Sequence, residues 1–210
     1  MTVLEGVSKR RPPKIANRSR PSPEAPAELL RKRKPASFRF KDDGLVPNNP
    51  KWPLLLYRSA VRFPEKCEPA SILEDLFAKN GWRHSWRDGI YPYLHYHSRI
   101  HEVLGIARGR AKVQFGGPHG RLFELKAGDV AILPAGTGHQ RFWASVDFLA
   151  VGAYPPTGTY DECTSPEQYR RALAAVPLVV RPRTDPLYGG DGPLLAAWPT
   201  GRQLSRRKQF

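Results

Sequence analysis

Three histidines and one glutamate carry the strongest chemical signal in this chain. In the stretch Leu94-His95-Tyr96-His97-Ser98, His95 and His97 stand two apart on a predicted strand. Side chains alternate faces along a strand, so the two imidazoles share one side. A turn at Ser98-Arg99-Ile100 leads to a second predicted strand, on which Glu102, Leu104 and Ile106 share a face. Its apolar partners turn that face to the core and take Glu102 inward, where an unpaired carboxylate is costly and calls for a cation. His101 falls on the opposite face and points away. With His139, the set offers three neutral nitrogens and one anionic oxygen. That combination suits one divalent transition metal (Mn, Fe, Ni, Co or Zn) better than Ca or Mg.

The elements needed to hold such a set are short strands. Between Trp82 and Tyr154 the chain reads as alternating segments (Ala111, Val113, Phe115; Val130, Ile132) and an apolar run from Phe148 to Val151. Turns fall at Arg108-Gly109-Arg110, at 116–120 and at Ala127-Gly128-Asp129. Regular short strands between Gly and Pro turns predict a sandwich or barrel. Leu54-Leu55-Leu56-Tyr57 is a further strand. Two helices flank these strands. Ser71 and Glu74 are spaced as a capping box before Ile72, Leu73, Leu76 and Phe77, and Asn80-Gly81 ends that helix. The other starts at Ser165 with Pro166 first and Gln168 three residues after the cap, runs through Tyr169 and Leu173, and stops before Pro177.

These residues resemble the cupin superfamily. Gly89, His95, His97, Glu102 and Gly109 meet every spacing of its first signature; Gly128, Pro134, Gly136 and His139 meet the second, whose last position is Trp143 here instead of Asn. The motifs cover roughly 80–145. A wider likeness, across about 40–200, is to an uncharacterised single-domain subgroup through DDGLVPNNP and DPLYGGDGPL. The resemblance implies an all-β fold, a double-stranded β-helix or jelly-roll barrel, with the metal in its mouth on His95, His97, Glu102 and His139. It implies turn roles for Gly89, Gly109 and Gly128, and a re-aiming role for Pro134 and Gly136 ahead of His139. A homodimer is expected on the same ground.

By parity with His95, Tyr91 and Tyr93 should face the cavity; by parity with His139, so should Arg141 and Trp143. For Trp143 plain core packing is the competing reading. Such a cavity suits a small acidic, sugar-like or aromatic ligand. The activity expected is that of a metal-dependent dioxygenase, isomerase or lyase; the alternative is a non-catalytic cupin that binds or senses a small molecule.

The rest of the composition fits this reading. At 210 residues, 40% of them apolar, the chain is long enough for one domain with a full core. A formal charge of +15 suggests nucleic acid until it is located. Residues 1–50 hold 12 Lys and Arg against 5 Asp and Glu, and the last ten residues hold 4 basic groups and no acidic one. Most of the excess therefore lies at the two ends, which argues against a nucleic-acid-reading body. Residues 1–37, Pro-rich and basic, read as a disordered arm, 38–200 as the single domain and 201–210 as a basic tail. No stretch reads as a membrane span or a secretory signal. Cys67 and Cys163 lie far apart in unlike contexts, and two unpaired thiols in a reducing cytoplasm are expected.

Overall fold

The computed structural model describes residues 29–200. Nine strands run in chain order as β1 (Ala36–Phe38), β2 (Leu54–Tyr57), β3 (Arg83–Asp88), β4 (Glu102–Arg108), β5 (Arg110–Phe115), β6 (Arg121–Lys126), β7 (Val130–Leu133), β8 (His139–Ala144) and β9 (Leu149–Tyr154). They form a six-stranded sheet in the order β1-β2-β7-β4-β9-β3 and a three-stranded sheet in the order β6-β5-β8. Every pairing is antiparallel. This is the barrel of two facing sheets that the short-strand pattern predicts.

The barrel interior is filled from both sheets. Leu54, Leu56, Leu104, Ile106, Ala131, Leu133 and Ala150 meet Ala111, Val113, Phe115, Phe123 and Leu125. The outer face of the large sheet is also covered. Leu55, Tyr57, Val103, Ala107, Val130, Ile132 and Val151 pack under helix α1 (Pro69–Lys79) and the C-terminal segment with Leu187, Leu194 and Trp198. Strands β2 and β7 therefore read as unbroken apolar runs, LLLY and VAIL, because both of their faces are buried. Gly105, in the middle of β4, lets α1 come close: a Cβ there would sit 2.9 Å from Leu73 and Phe77 side-chain atoms.

Helix α2 (Pro166–Ala175) carries the capping box expected at Ser165 and Gln168. Helix α1 departs from its expected cap. It begins at Pro69, and the side chain of Glu68 accepts from the Ala70 and Ser71 amides. Ser71 is inside the first turn, and Glu74 is held by Arg87 at 2.6 Å instead. Glu68 wins because Pro69 needs no N–H partner, which moves the start three residues upstream. A third helix, α3 (Pro193–Ala197), was not expected, so the flanking helices number three among the described residues.

Two further expectations are corrected. Residues 29–37, assigned to a disordered arm, are part of the fold: Leu29 is buried, Leu30 bridges Val61, and β1 pairs with β2. Short, mostly polar sequence hid a segment whose contacts are backbone pairings with distant strands. The remainder of that arm and the tail at 201–210 lie outside the described residues. The segment around 94–97 is not a regular strand. It is extended chain held by two isolated bridges, His95 to His139 and Tyr96 to Cys163. Cys67 and Cys163 are both free, and among the described residues no helix is long and apolar enough to cross a membrane.

Candidate metal centre

The structure brings His95, His97 and His139 together. One ring nitrogen from each lies within 4.8 Å of the other two, and all three side chains are buried. The bridge between His95 and His139 fixes two of them across the mouth, with His95 N–H to His139 O at 3.2 Å and His139 N–H to His95 O at 2.9 Å. Glu102 opens β4 and is 2% exposed. Its Oε2 lies 3.5 Å from His97 Nε2 and 3.4 Å from His139 Nε2.

Each imidazole is oriented from behind. His95 Nδ1 meets Tyr93 O at 3.2 Å, His139 Nδ1 meets Thr137 O at 3.2 Å, and His97 Nδ1 is in close contact with Asp161 O. A carbonyl only accepts, so each Nδ1 carries the hydrogen and each Nε2 keeps its lone pair for the cavity. Glu102 Oε2 is buried and has no aligned hydrogen bond among the described residues. Three lone pairs and one orphaned carboxylate oxygen, converging at one place, fit a divalent transition metal.

The electrostatics agree. Burial, then the neighbouring His97, hold His95 below the ordinary histidine range. Burial, then His95, hold His139 well below it. Burial also pulls His97 down, but the Glu102 charge outweighs it, and His97 is raised. Burial alone would push Glu102 up; His97, with smaller effects from His139 and His95, brings it down to about 2. His97 is thus the imidazole of the three that most readily takes a proton beside Glu102, and a metal would compete with that proton.

The candidate cavity residues divide. Tyr91 and Tyr93 stack on each other at 4.8 Å, at the rim beside His95, at ring distances of 5.2 and 5.6 Å. They are 39% and 42% exposed. Arg141 pairs with inward-facing Val113, and its Nε donates to Ile90 O at 2.8 Å. Trp143 is the correction. A register shift in β8 places Arg141 opposite Val113 but Trp143 opposite Lys112, so Phe142 is an extra residue that breaks the alternation. Trp143 consequently faces outward, 44% exposed, with the Arg110 guanidinium 5.9 Å from its ring. It neither lines the cavity nor packs in the core.

Of the turn residues, Gly109, Gly128 and Gly136 have φ of +66°, +87° and +89°, where glycine is the natural choice. A Cβ at Gly89 would meet nothing within 4 Å. Pro134 O accepts from the Thr137 hydroxyl and amide, closing the turn that delivers His139. His101 faces away as expected, yet it is tied to this turn. Its Nδ1 accepts from the Ala135 amide at 2.9 Å, its Nε2 meets Val180 O at 3.1 Å, and Trp52 and Trp198 flank its ring.

Sequence reasoning missed four residues around the site. Tyr154, at the end of β9, sets its ring 6.0 Å from His97 and accepts from Trp86 Nε1 at 3.0 Å. Burial and then the Glu102 charge push its hydroxyl far above the ordinary range. Its signal was strand parity, since Ala150, Gly152 and Tyr154 follow one face. Asp161 accepts from the Ser98 amide and hydroxyl at 2.9 and 2.5 Å and from the Arg99 amide at 3.1 Å, holding the turn after His97. Tyr160 and Glu162 complete the rim. These last three lie on a loop with no local signature.

Compared with known proteins, the chain is 37% identical over 167 residues to the uncharacterized protein YjlB of Bacillus subtilis (strain 168), across 79% of this chain and 98% of that protein. The chain belongs to the YjlB family. Its fold, two facing antiparallel sheets with Glu102 on the larger and His139 on the smaller, agrees with the cupin resemblance of the sequence. Among solved structures it is similar to acireductone dioxygenase from Bacillus anthracis with cadmium in the active center. That likeness has 18% identity and a TM-score of 0.31, over 42% of this chain and 60% of that one. A mutant of Bacillus subtilis oxalate decarboxylase is also similar, with 18% identity and a TM-score of 0.34, over 57% of this chain and 29% of that one. No protein-family model matches the chain.

Proposed function

We propose that this chain is a mononuclear metal cupin that binds a small molecule at the barrel mouth and acts on it as a metal-dependent dioxygenase, isomerase or lyase. The observation that carries this reading is the convergence of three Nε2 lone pairs on a buried carboxylate oxygen without an aligned partner. His95, His97, Glu102 and His139 would hold the ion. Three imidazoles and one carboxylate leave open positions on an octahedral ion, which would supply Lewis-acid or redox chemistry to a bound ligand. The carbonyls of Tyr93, Asp161 and Thr137 keep the imidazoles aimed, and Glu102 would offset one of the two charges of a divalent ion. Tyr91, Tyr93, Tyr154 and Tyr160 give the ligand an aromatic approach.

Elemental analysis of protein purified without a chelating tag tests the site. About one transition-metal ion per chain is expected, and it should be absent from the double variant His95→Ala, His97→Ala. Stoichiometric metal in that variant would sink the assignment. Incubating the metal-loaded protein with small diols, ketones and sugars tests for turnover, and no conversion under any metal would count against an enzyme. A homodimer is also part of this proposal. It is supported by the exposed Leu122, Phe142 and Trp143 on the outer side of the three-stranded sheet.

A further inference from the structure

We propose that Glu162 is a specificity-determining residue of this site: held across the mouth by Tyr93 and Tyr160, its carboxylate disfavours anionic ligands and favours neutral or cationic ones that bring hydroxyl or amine donors. The proposal rests on the metal site above and goes beyond it to the class of ligand admitted.

The geometry is a clasp. Tyr93 donates to Glu162 Oε1 at 3.0 Å, and Tyr160 donates to Oε2 at 3.3 Å. The two phenol rings are those that stand over the metal-binding imidazoles, Tyr93 5.6 Å from His95 and Tyr160 5.0 Å from His97. The carboxylate therefore spans the approach between two segments far apart in the sequence. Its backbone is equally fixed. Gln168 Nε2 donates to Glu162 O at 2.8 Å, Asp161 is tied to Ser98 and Arg99, and Cys163 exchanges backbone bonds with Tyr96 at 2.9 and 3.2 Å. With both neighbours tethered, Glu162 is a standing wall of the mouth.

Chemistry follows from who donates. Each phenol has one hydrogen, and both are committed to Glu162, so what remains for a ligand is acceptor lone pairs and a negative charge. A ligand whose outer end carries hydroxyl or amine hydrogens satisfies this wall, whereas a carboxylate or phosphate end meets unpaired acceptors and like charge. Arg141, the cation on the same face of β8 as His139, is directed to Ile90 O by its Nε.

The test uses Co(II)-loaded full-length protein titrated at about pH 8 with azide, an anion, and with imidazole, which is neutral there. Binding of both is followed through the visible Co(II) bands. In Glu162→Gln, azide should bind about 3- to 10-fold more tightly at low ionic strength, the range expected of one removed charge across a partly solvated mouth. The gain should shrink in about 0.5 M salt, and imidazole should stay within about twofold. Glu162→Asp, which keeps the charge, should bind azide within about twofold of wild type. Unchanged azide binding in Glu162→Gln overturns the proposal, as does an equal shift for azide and imidazole, which would mark a change of shape rather than of charge. A wild-type chain that takes up no Co(II) overturns the metal site and this proposal with it.

Discussion

Asp185 makes the clearest quantitative case. Its carboxylate is fully buried and takes four hydrogen bonds. Oδ2 accepts from the Tyr57 hydroxyl at 2.5 Å and the Leu194 amide at 3.1 Å; Oδ1 accepts from the Leu187 and Tyr188 amides at 2.9 and 3.2 Å. The group ties β2 of the large sheet to the C-terminal segment that covers its outer face. Asp185→Ala removes every acceptor at once and leaves one hydroxyl and three amides without partners. A buried donor left unsatisfied costs about 1–3 kcal/mol. Even if water or backbone shifts relieve half of the four, the loss should reach about 4 kcal/mol, a magnitude that few single substitutions attain. Asp185→Asn keeps the shape and two of the acceptor contacts but turns an amide donor toward the Leu194 N–H. It should cost about 2 kcal/mol. Urea unfolding followed by tryptophan fluorescence reads both, with Trp82 and Trp198 buried nearby as reporters. A loss below about 1 kcal/mol for Asp185→Ala would refute the idea that this carboxylate closes the C-terminal segment onto the sheet.

Further outcomes are expected. Trp143→Ala should change stability by no more than about 0.5 kcal/mol and leave metal affinity intact; a large loss in thermal melts would mean that the side chain is buried after all. Gly105→Ala should cost about 1–3 kcal/mol, because its methyl group would press on Leu73 and Phe77, and melts at unchanged metal content would show it. Metal affinity should rise with pH. His97 is raised, while His95 and His139 are held low, so His97 is the ligand at which a proton competes with metal first. One proton must therefore leave on binding below the raised value of His97, which costs affinity about tenfold per pH unit of acidification. Chelator competition across about pH 5.5 to 8 measures that slope, and a flat profile would contradict it. Leu122→Glu with Phe142→Glu should shift the protein to monomer in light scattering if the outer side of the small sheet is the dimer contact.

The parts of this molecule that could be read from sequence are those encoded over a few residues. The two imidazoles at a spacing of two, the glutamate five positions later, and the Pro-x-Gly turn three residues ahead of His139 are local patterns, and they meet in the fold. Ser165 with Gln168 is likewise a local cap. The misses share a different origin. Whether Trp143 points in or out depends on one extra residue in β8, and its presence follows from pairing with β5, not from the sequence of β8 itself. Glu68 outcompeted Ser71 because of Pro69 and because Arg87, on a neighbouring strand, takes Glu74. Leu29 and Leu30 gain their places only against Ala60, Val61 and Arg62. Tyr160, Asp161 and Glu162 come to the metal site from a loop more than sixty positions beyond His95, through contacts that no short window contains.

The four candidate ligands are unequally supported by the backbone. Glu102 belongs to β4, a central strand paired on both sides with β7 and β9. His95 and His97 ride on a segment outside the regular strands, held by two isolated bridges and by single hydrogen bonds such as Gly136 N–H to His97 O at 2.7 Å. An ion bound by all four would fasten that segment to the sheet, so the stretch around 90–100 should open and close far more often in the stripped protein than in the loaded one. Amide exchange there would slow on metal uptake while that of β4 stayed nearly the same.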